Sequence, residues 1–240
     1  MILHPVWPTP GHPIDTDAPF ARQKIAEFYP HPASDRSLRV NLVSTVDGGV
    51  RGADGTSKSL TGGADRAVLG AIRATSDVVL VGGATLRAEP DMLPRTTPLA
   101  VVSRSGDLGG FTGRTGRDHG PIYVFAPAAA GDRLTESMGA AVTFIPIQAE
   151  LNVSAFLPSV LVQLVGRGMH HVVCEGGPSL VRALIRLQLI DELCLTVAPQ
   201  FASPGTPDIF DGRLDRPLPA PLVGMLADDA GYLYTRRRLR

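Results

Sequence analysis

The stretch Cys174-Glu175-Gly176-Gly177-Pro178-Ser179-Leu180 stands between two apolar runs, H-H-V-V (170–173) and V-R-A-L-I-R-L (181–187). A strand that ends in Glu and turns through two glycines into a helix opened by proline presents backbone N–H groups at the positive end of a helix, with no Cβ in the way. Pro178 is preorganised for the first helical turn, and Ser179 adds a hydroxyl. The stretch therefore reads as an anion cradle at a strand-to-helix corner. A second corner of the same kind lies upstream in V-V-L-V-G-G-A-T-L-R (78–87), where Gly82 and Gly83 are followed by Thr85. Two such corners at the carboxyl ends of strands are placed to hold both ends of a dinucleotide. The competing reading is that the glycines serve only the turns. Neither corner is G-x-G-x-x-G, neither is followed by an acidic strand end at Rossmann spacing, and there is no Walker lysine.

Working outward, the chain alternates strand and helix signals. L-R-V-N-L-V-S-T-V (38–46), D-V-V-L-V-G (77–82), L-A-V-V-S (99–103), I-Y-V-F-A (122–126), V-T-F-I-P (142–146), H-V-V-C-E (171–175) and E-L-C-L-T-V-A-P (192–199) read as strands. Helices are expected over 61–74, with Val68, Leu69, Ala71 and Ile72 inward, and over 128–138, 158–168 and 178–188. Near-continuous Val and Leu in the strands means that helices cover both faces, as in a parallel sheet. P-L-V-G-M-L-A and G-Y-L-Y-T-R-R-R-L flank the turn D-D-A-G, so the sheet should be mixed and end in an antiparallel hairpin. Residues 1–35 carry seven prolines and read as an arm over the surface or over a partner subunit, with a short helix from Asp17 turning Phe20, Ile25 and Phe28 inward. Residues 36–240 read as one domain, with long loops at 104–121 and 202–221.

Composition narrows the function. At 240 residues and 44% hydrophobic content the chain can bury a full core. Its 23 basic and 23 acidic residues balance, which argues against nucleic acid as a partner and for a small molecule or a protein. No apolar run approaches the ~20 residues of a membrane span, and the start lacks a signal-peptide pattern, so a cytoplasmic protein is expected. Cys174 and Cys194 lie in apolar runs without C-x-x-C, and the six histidines make no metal-binding pattern; buried thiols and no metal are expected. The terminal R-R-R-L-R reads as a solvated strand end.

Two further strand ends carry polar chemistry. Ser103, Arg104 and Ser105 offer a guanidinium and two hydroxyls, which suits a terminal phosphomonoester such as the 2′-phosphate of NADPH; the competing reading is a solvated arginine at a strand end. S-T-V-D-G-G-V (44–50) places Thr45 and Asp47 beside glycines; Asp47 is either a turn cap or a substrate contact.

S-T-V-D-G-G, I-R-A-T-S-D-V-V-L-V-G-G-A-T-L-R, V-C-E-G-G-P-S-L and D-E-L-C-L-T-V-A-P, in that order, resemble the signature of the riboflavin-biosynthesis pyrimidine reductases, the C-terminal domain of the bifunctional deaminase/reductase. The resemblance spans roughly residues 38–236. It implies a dihydrofolate-reductase-like α/β fold, a homodimer, NADPH as cofactor, and reduction of 5-amino-6-(5-phosphoribosylamino)uracil to its ribitylamino form. The cofactor contacts it implies are Gly82, Gly83, Thr85, Ser103 and Arg104, with Gly176, Gly177, Ser179 and Leu180 around the diphosphate. Thr45, Asp47 and Glu175 would line the substrate side, with Asp47 and Glu175 positioning substrate or delivering a proton. The chain departs from the pattern at Gly49, where the family usually has Lys, and at A-E-P-D-M (88–92), which lacks the family's Arg. Lys58, Arg73, Arg87 or Arg95 are the replacement cations at hand. No H-x-E with P-C-x-x-C is present, so a reductase would act alone or beside a separate deaminase. The alternatives are a reductase of a dihydrofolate- or pterin-type substrate on the same fold and a non-catalytic NADP(H)-binding protein.

Overall fold

The computed structural model describes all residues except 33, 91–92, 112–118, 138–141, 149–152, 211, 213 and 215, and the side chains of 133, 135, 137 and 153. The strands are β1 (Ile2–Trp7), β2 (Ile14–Asp15), β3 (Ser37–Ser44), β4 (Val78–Gly82), β5 (Leu99–Val102), β6 (Ile122–Pro127), β7 (Val142–Ile147), β8 (His171–Cys174), β9 (Glu192–Val197), β10 (Leu222–Asp228) and β11 (Leu233–Arg238). The helices are α1 (Ala21–Ala26), α2 (Asp65–Ala74), α3 (Gly83–Ala88), α4 (Gly131–Ser137), α5 (Val153–Val165) and α6 (Pro178–Arg186). They build one 11-stranded sheet in the order β2-β1-β10-β11-β9-β3-β8-β4-β5-β6-β7. From β9 to β7 neighbouring strands run parallel, while β11, β10, β1 and β2 add an antiparallel flank. The mixed, mostly parallel sheet and the C-terminal hairpin are those expected from the sequence.

The reason lies in the strand pattern. Along β4, Val79 and Val81 face one core with α1 and α2, while Val78 and Leu80 face a second core with α5 and α6. A strand apolar on both sides is stable only between two helical layers.

Four expectations change. Residues 1–35 do not form an arm over the surface: β1 pairs with β10, and Leu3, Ile14, Ile25 and Tyr29 are buried. The prolines do not prevent this because β1 has only the two-residue β2 beyond it, close to the sheet edge, where missing N–H groups are tolerated. Phe20 is not inward: it sits in the left-handed region at the start of α1 and is 77% exposed. Helix α5 starts upstream of Pro158, which lies inside it; one missing N–H is offset by burial of Phe156 and Leu157. The expected helix over 128–138 is a 3-10 turn at Ala128–Ala130 followed by α4, and residue 138 lies outside the described residues.

The terminal arginines also differ from expectation. Arg236 bonds Glu192 at 2.7 Å, and Arg39, 2% exposed on β3, holds the other oxygen of Glu192 at 2.7 Å. Burial alone would raise the Glu192 pKa, but the two guanidiniums outweigh it and hold the carboxyl below its usual range. Both cysteines are buried and unpaired, and burial pushes the Cys174 thiol up to about 12. No helix among the described residues is long and apolar enough to cross a membrane.

Candidate active site

A cleft of about 880 Å³ opens at the carboxyl ends of β3, β8, β4 and β5. This is where ligands of open α/β sheets bind. The two glycine corners meet there rather than standing apart. The Gly82 N–H donates to the Gly176 carbonyl at 2.8 Å, because β4 and β8 are adjacent strands. They therefore form one double corner, not holders for two distant ends of a ligand.

Gly176 has φ of 99°, a conformation that favours glycine. A Cβ on Gly177 would lie 2.8 Å from Thr85 Oγ1, and one on Gly83 would lie 3.2 Å from the side chain of Ser103. Bare backbone thus lets three strand ends close up side by side, in the order β8, β4, β5. Gly177 is the N-cap of α6 with no side-chain cap, and Pro178 opens the helix as the sequence predicts.

Of the cofactor residues expected from sequence, Gly82, Gly83, Thr85, Ser103, Arg104, Gly177, Ser179 and Leu180 line the cleft. Gly176 is buried behind it, and the Leu180 N–H donates to the Gly177 carbonyl at 3.0 Å, so Leu180 presents its side chain to the cleft. Ser103 is 4% exposed, with its N–H on the Phe125 carbonyl and its hydroxyl on that of Asp107; Arg104 is exposed at the rim.

The substrate-side residues separate. Glu175 lines the cleft, with its side chain 7% exposed, and is held bidentately by Arg73: Nε to Oε1 at 2.7 Å and Nη2 to Oε2 at 2.6 Å. Burial opposes the charge on Arg73, but the bonds and charge of Glu175 outweigh it and raise the guanidinium pKa. Glu175 is thus a fixed, paired carboxylate. Thr45 is 2% exposed, and its hydroxyl donates to Asp47 Oδ1 at 2.7 Å. Asp47 also accepts the Ala202 N–H at 2.9 Å. The Thr45 hydroxyl and then the Ala202 amide hold its carboxyl below the usual range. Neither Thr45 nor Asp47 is among the cleft-lining residues, and the bonds of Asp47 are those of the turn cap.

The departure at Gly49 has a structural reason. A Cβ there would stand 2.4 Å from the Ala202 side chain, so the loop packed on Gly49 occupies the room a lysine would need. Of the replacement cations weighed above, Lys58, Arg73 and Arg87 line the cleft and Arg95 does not; Arg87 is drawn to the Asp107 carbonyl at 2.8 Å. Arg51 and Arg66 also line it and were not singled out from sequence. Asp91 and Met92 of the altered A-E-P-D-M element lie outside the described residues. Its Glu89 accepts the Ser57 N–H at 3.1 Å and hydroxyl at 2.8 Å, clamping the polar segment 54–63 to the end of α3.

Sequence reasoning also missed Asp65. It lines the cleft at the first residue of α2, only 7% exposed. Burial raises its pKa against the Thr196 and Thr61 hydroxyls that bond it, and the charge of Glu175 raises it further. The signal was present as an acid two residues after T-G-G, but it reads equally as ordinary helix-start chemistry.

The sequence matches the RibD C-terminal domain over residues 36–233. The chain belongs to that family. Among solved structures, this family member is similar to a pyrimidine reductase-like protein from Corynebacterium diphtheriae, at 20% identity and TM-score 0.71 over 95% of this chain and 97% of that one. It also resembles the deaminase/5-amino-6-(5-phosphoribosylamino)uracil reductase of Thermotoga maritima, at 20% identity and TM-score 0.67 over 86% of this chain, spanning only 57% of that longer protein. The riboflavin biosynthesis reductase Rib7 of Saccharomyces cerevisiae gives 14% identity and TM-score 0.60 over 92% and 100% of the two chains. At these identities the likenesses establish a shared fold. No curated relative matches the chain by sequence.

Proposed function

We propose that this RibD C-terminal domain protein is an NADPH-dependent pyrimidine reductase that converts 5-amino-6-(5-phosphoribosylamino)uracil to the ribitylamino product. The observation that carries the reading is one cleft in which a glycine double corner, a buried carboxylate–guanidinium pair and a cationic rim converge. Membership of the family supports the reaction class, and the activity named for the similar Thermotoga maritima protein supports the substrate. A cytoplasmic homodimer belongs to the same reading, as does the assignment of residues 36–240 to the reductase unit.

The residues present fit the cofactor. Gly177 leaves open a space beside Thr85 that a Cβ would fill, and Thr85, Ser103, Arg104 and Ser179 set hydroxyls and a guanidinium along the same wall. When bound, NADPH supplies the hydride for C1 of the ring-opened sugar. The double corner would hold the diphosphate, Arg104 would supply charge for the 2′-phosphate, and the Arg73–Glu175 pair would present a fixed dipole to the substrate. Lys58, Arg51 and Arg66 supply charge for the substrate phosphate in place of a lysine at position 49.

The test follows NADPH oxidation by absorbance with the phosphoribosylaminopyrimidine and dihydrofolate at matched concentrations, with NADH as a control. The expected outcome is turnover of the pyrimidine and preference for NADPH. Preference for dihydrofolate keeps the fold and overturns the substrate; binding of NADPH with no turnover of either substrate overturns the proposed reaction.

A further inference from the structure

The reduction turns a C1=N double bond of the opened sugar into a C1–N single bond. Carbon gains the hydride, nitrogen gains a proton, and NADP⁺ leaves. The Arg73–Glu175 pair is poorly placed to supply that proton, because both oxygens of the Glu175 carboxyl are already taken up by the Arg73 guanidinium. Another acid in the same cleft has the opposite surroundings.

We propose that Asp65 is the group that holds this proton and delivers it, directly or through one water, to the substrate nitrogen. The inference rests on the reductase reading above and adds a residue to it. Asp65 lines the cleft, is 7% exposed, and is met by the hydroxyls of Thr196 on β9 and Thr61 before α2. Its position is fixed by neighbours that lie outside the cleft lining. The Ala64 N–H donates to Asp228 Oδ2 at 2.8 Å and to Tyr234 Oη at 2.9 Å, and Tyr234 donates to the same Asp228 oxygen at 2.7 Å. The start of α2 is thereby anchored to the β10–β11 hairpin.

The charged and titratable groups around Asp65 set its behaviour. Glu175 faces it from the β8 corner, Asp228, Tyr232 and Tyr234 from the hairpin, and Arg66 from its own helix, with Arg73 already engaged by Glu175. The helix start and Arg66 favour the carboxylate. Burial and the charge of Glu175 favour the acid, and burial is the larger of these effects. A carboxyl that keeps its proton above the usual range and faces a ligand cleft is what proton donation near neutral pH requires. After delivery, Asp65 recovers a proton from solvent, so the step is balanced.

The experiment compares Asp65→Asn and Asp65→Glu with the native protein. The native kcat should fall as pH rises through the raised pKa of Asp65. Asp65→Asn should lower kcat by about 100-fold and abolish that pH dependence, with NADPH affinity by fluorescence unchanged. Asp65→Glu should retain the pH limb. Carboxyl NMR of the protein labelled at aspartate provides a readout independent of turnover: one aspartate should titrate above the usual carboxylate range and be lost in Asp65→Glu. Full kcat with an intact alkaline limb in Asp65→Asn, or an Asp65 carboxyl titrating in the ordinary range, overturns the proposal. Failure of the native protein to oxidise NADPH with the pyrimidine overturns instead the reading on which it rests, while the NMR titration still decides the protonation of Asp65.

Discussion

Glu192 begins the strand on one side of β3 and Glu175 follows the strand on the other, and each binds an arginine at 2.7 Å or less. The two pairs differ in which end of the parallel strands they occupy. Arg39 and Glu192 lie at the amino end, where β9, β11 and the Tyr29 carbonyl close over them and a second arginine, Arg236, completes the set. Arg73 and Glu175 lie at the carboxyl end, where the strand ends diverge into corners and leave the cleft. The same chemistry is therefore architecture at one end and part of a site at the other, and strand polarity decides which.

The sharpest way to break this contrast is at the amino end. Glu192→Gln leaves two guanidiniums facing a neutral amide, and stability should fall by about 3–5 kcal/mol in urea denaturation, with kcat per folded molecule unchanged. Because the folded pKa of Glu192 lies below its ordinary value, its contribution is full above the unfolded pKa and disappears as pH falls through the folded one. Native and variant stabilities should therefore converge in acid; a constant difference down to the lowest pH would show that packing, not charge, holds the cluster.

At the carboxyl end, Glu175→Gln should cost less, about 1–2 kcal/mol, because Arg73 is 20% exposed and can rehydrate into the cleft. Its main effect should be on kcat/KM, lowered ~10–100-fold through lost alignment. A stability loss equal to that of Glu192→Gln, with normal kcat/KM, would make both pairs architectural and remove the distinction.

The two pairs also show what could be read in advance. Glu175 was legible because Gly176, Gly177 and Pro178 follow it, a local signal that fixes a strand end and a helix start. Glu192 was not, because its partners come from residues 39 and 236, and no local pattern reports a contact across that separation. The same limit explains the rest. The sheet's parallel half follows from runs such as V-V-L-V, whereas β1 pairs with β10 through residues more than two hundred positions apart. Asp65 gave only an ordinary helix-start signal, since its burial depends on Thr196 and the far hairpin. The adjacency of the two glycine corners was likewise a matter of strand order, not of spacing along the chain.

Within the double corner, Gly177→Ala puts a methyl 2.8 Å from Thr85 Oγ1. It should destabilise by about 1–2 kcal/mol and weaken NADPH binding measured by fluorescence titration. Adding Thr85→Ala should restore at least ~0.5 kcal/mol, the coupling expected of residues in contact. Strict additivity would mean that the corners are not packed through this pair, and that the glycine is needed for the ligand alone.

The smallest effect is expected at Asp47, at the carboxyl end of β3, where strand polarity alone would place a site residue. Asp47→Asn keeps an oxygen for both the Thr45 hydroxyl and the Ala202 N–H, so the melting temperature at neutral pH and kcat/KM should stay near native, whereas Asp47→Ala frees the turn and lowers the melting temperature. The carboxyl's depressed pKa has the same sign as that of Glu192: its hydrogen bonds stabilise above the unfolded pKa and are lost as pH falls through the folded one. A fall in kcat/KM for Asp47→Asn at unchanged melting temperature would mean that the negative charge, not the turn, matters. Asp47 would then join Glu175 at the substrate, and the carboxyl-end rule would hold at β3 as well as at β8; its failure there is expected because Asp47 is taken up by the Thr45 hydroxyl and the Ala202 N–H and is not among the residues that line the cleft.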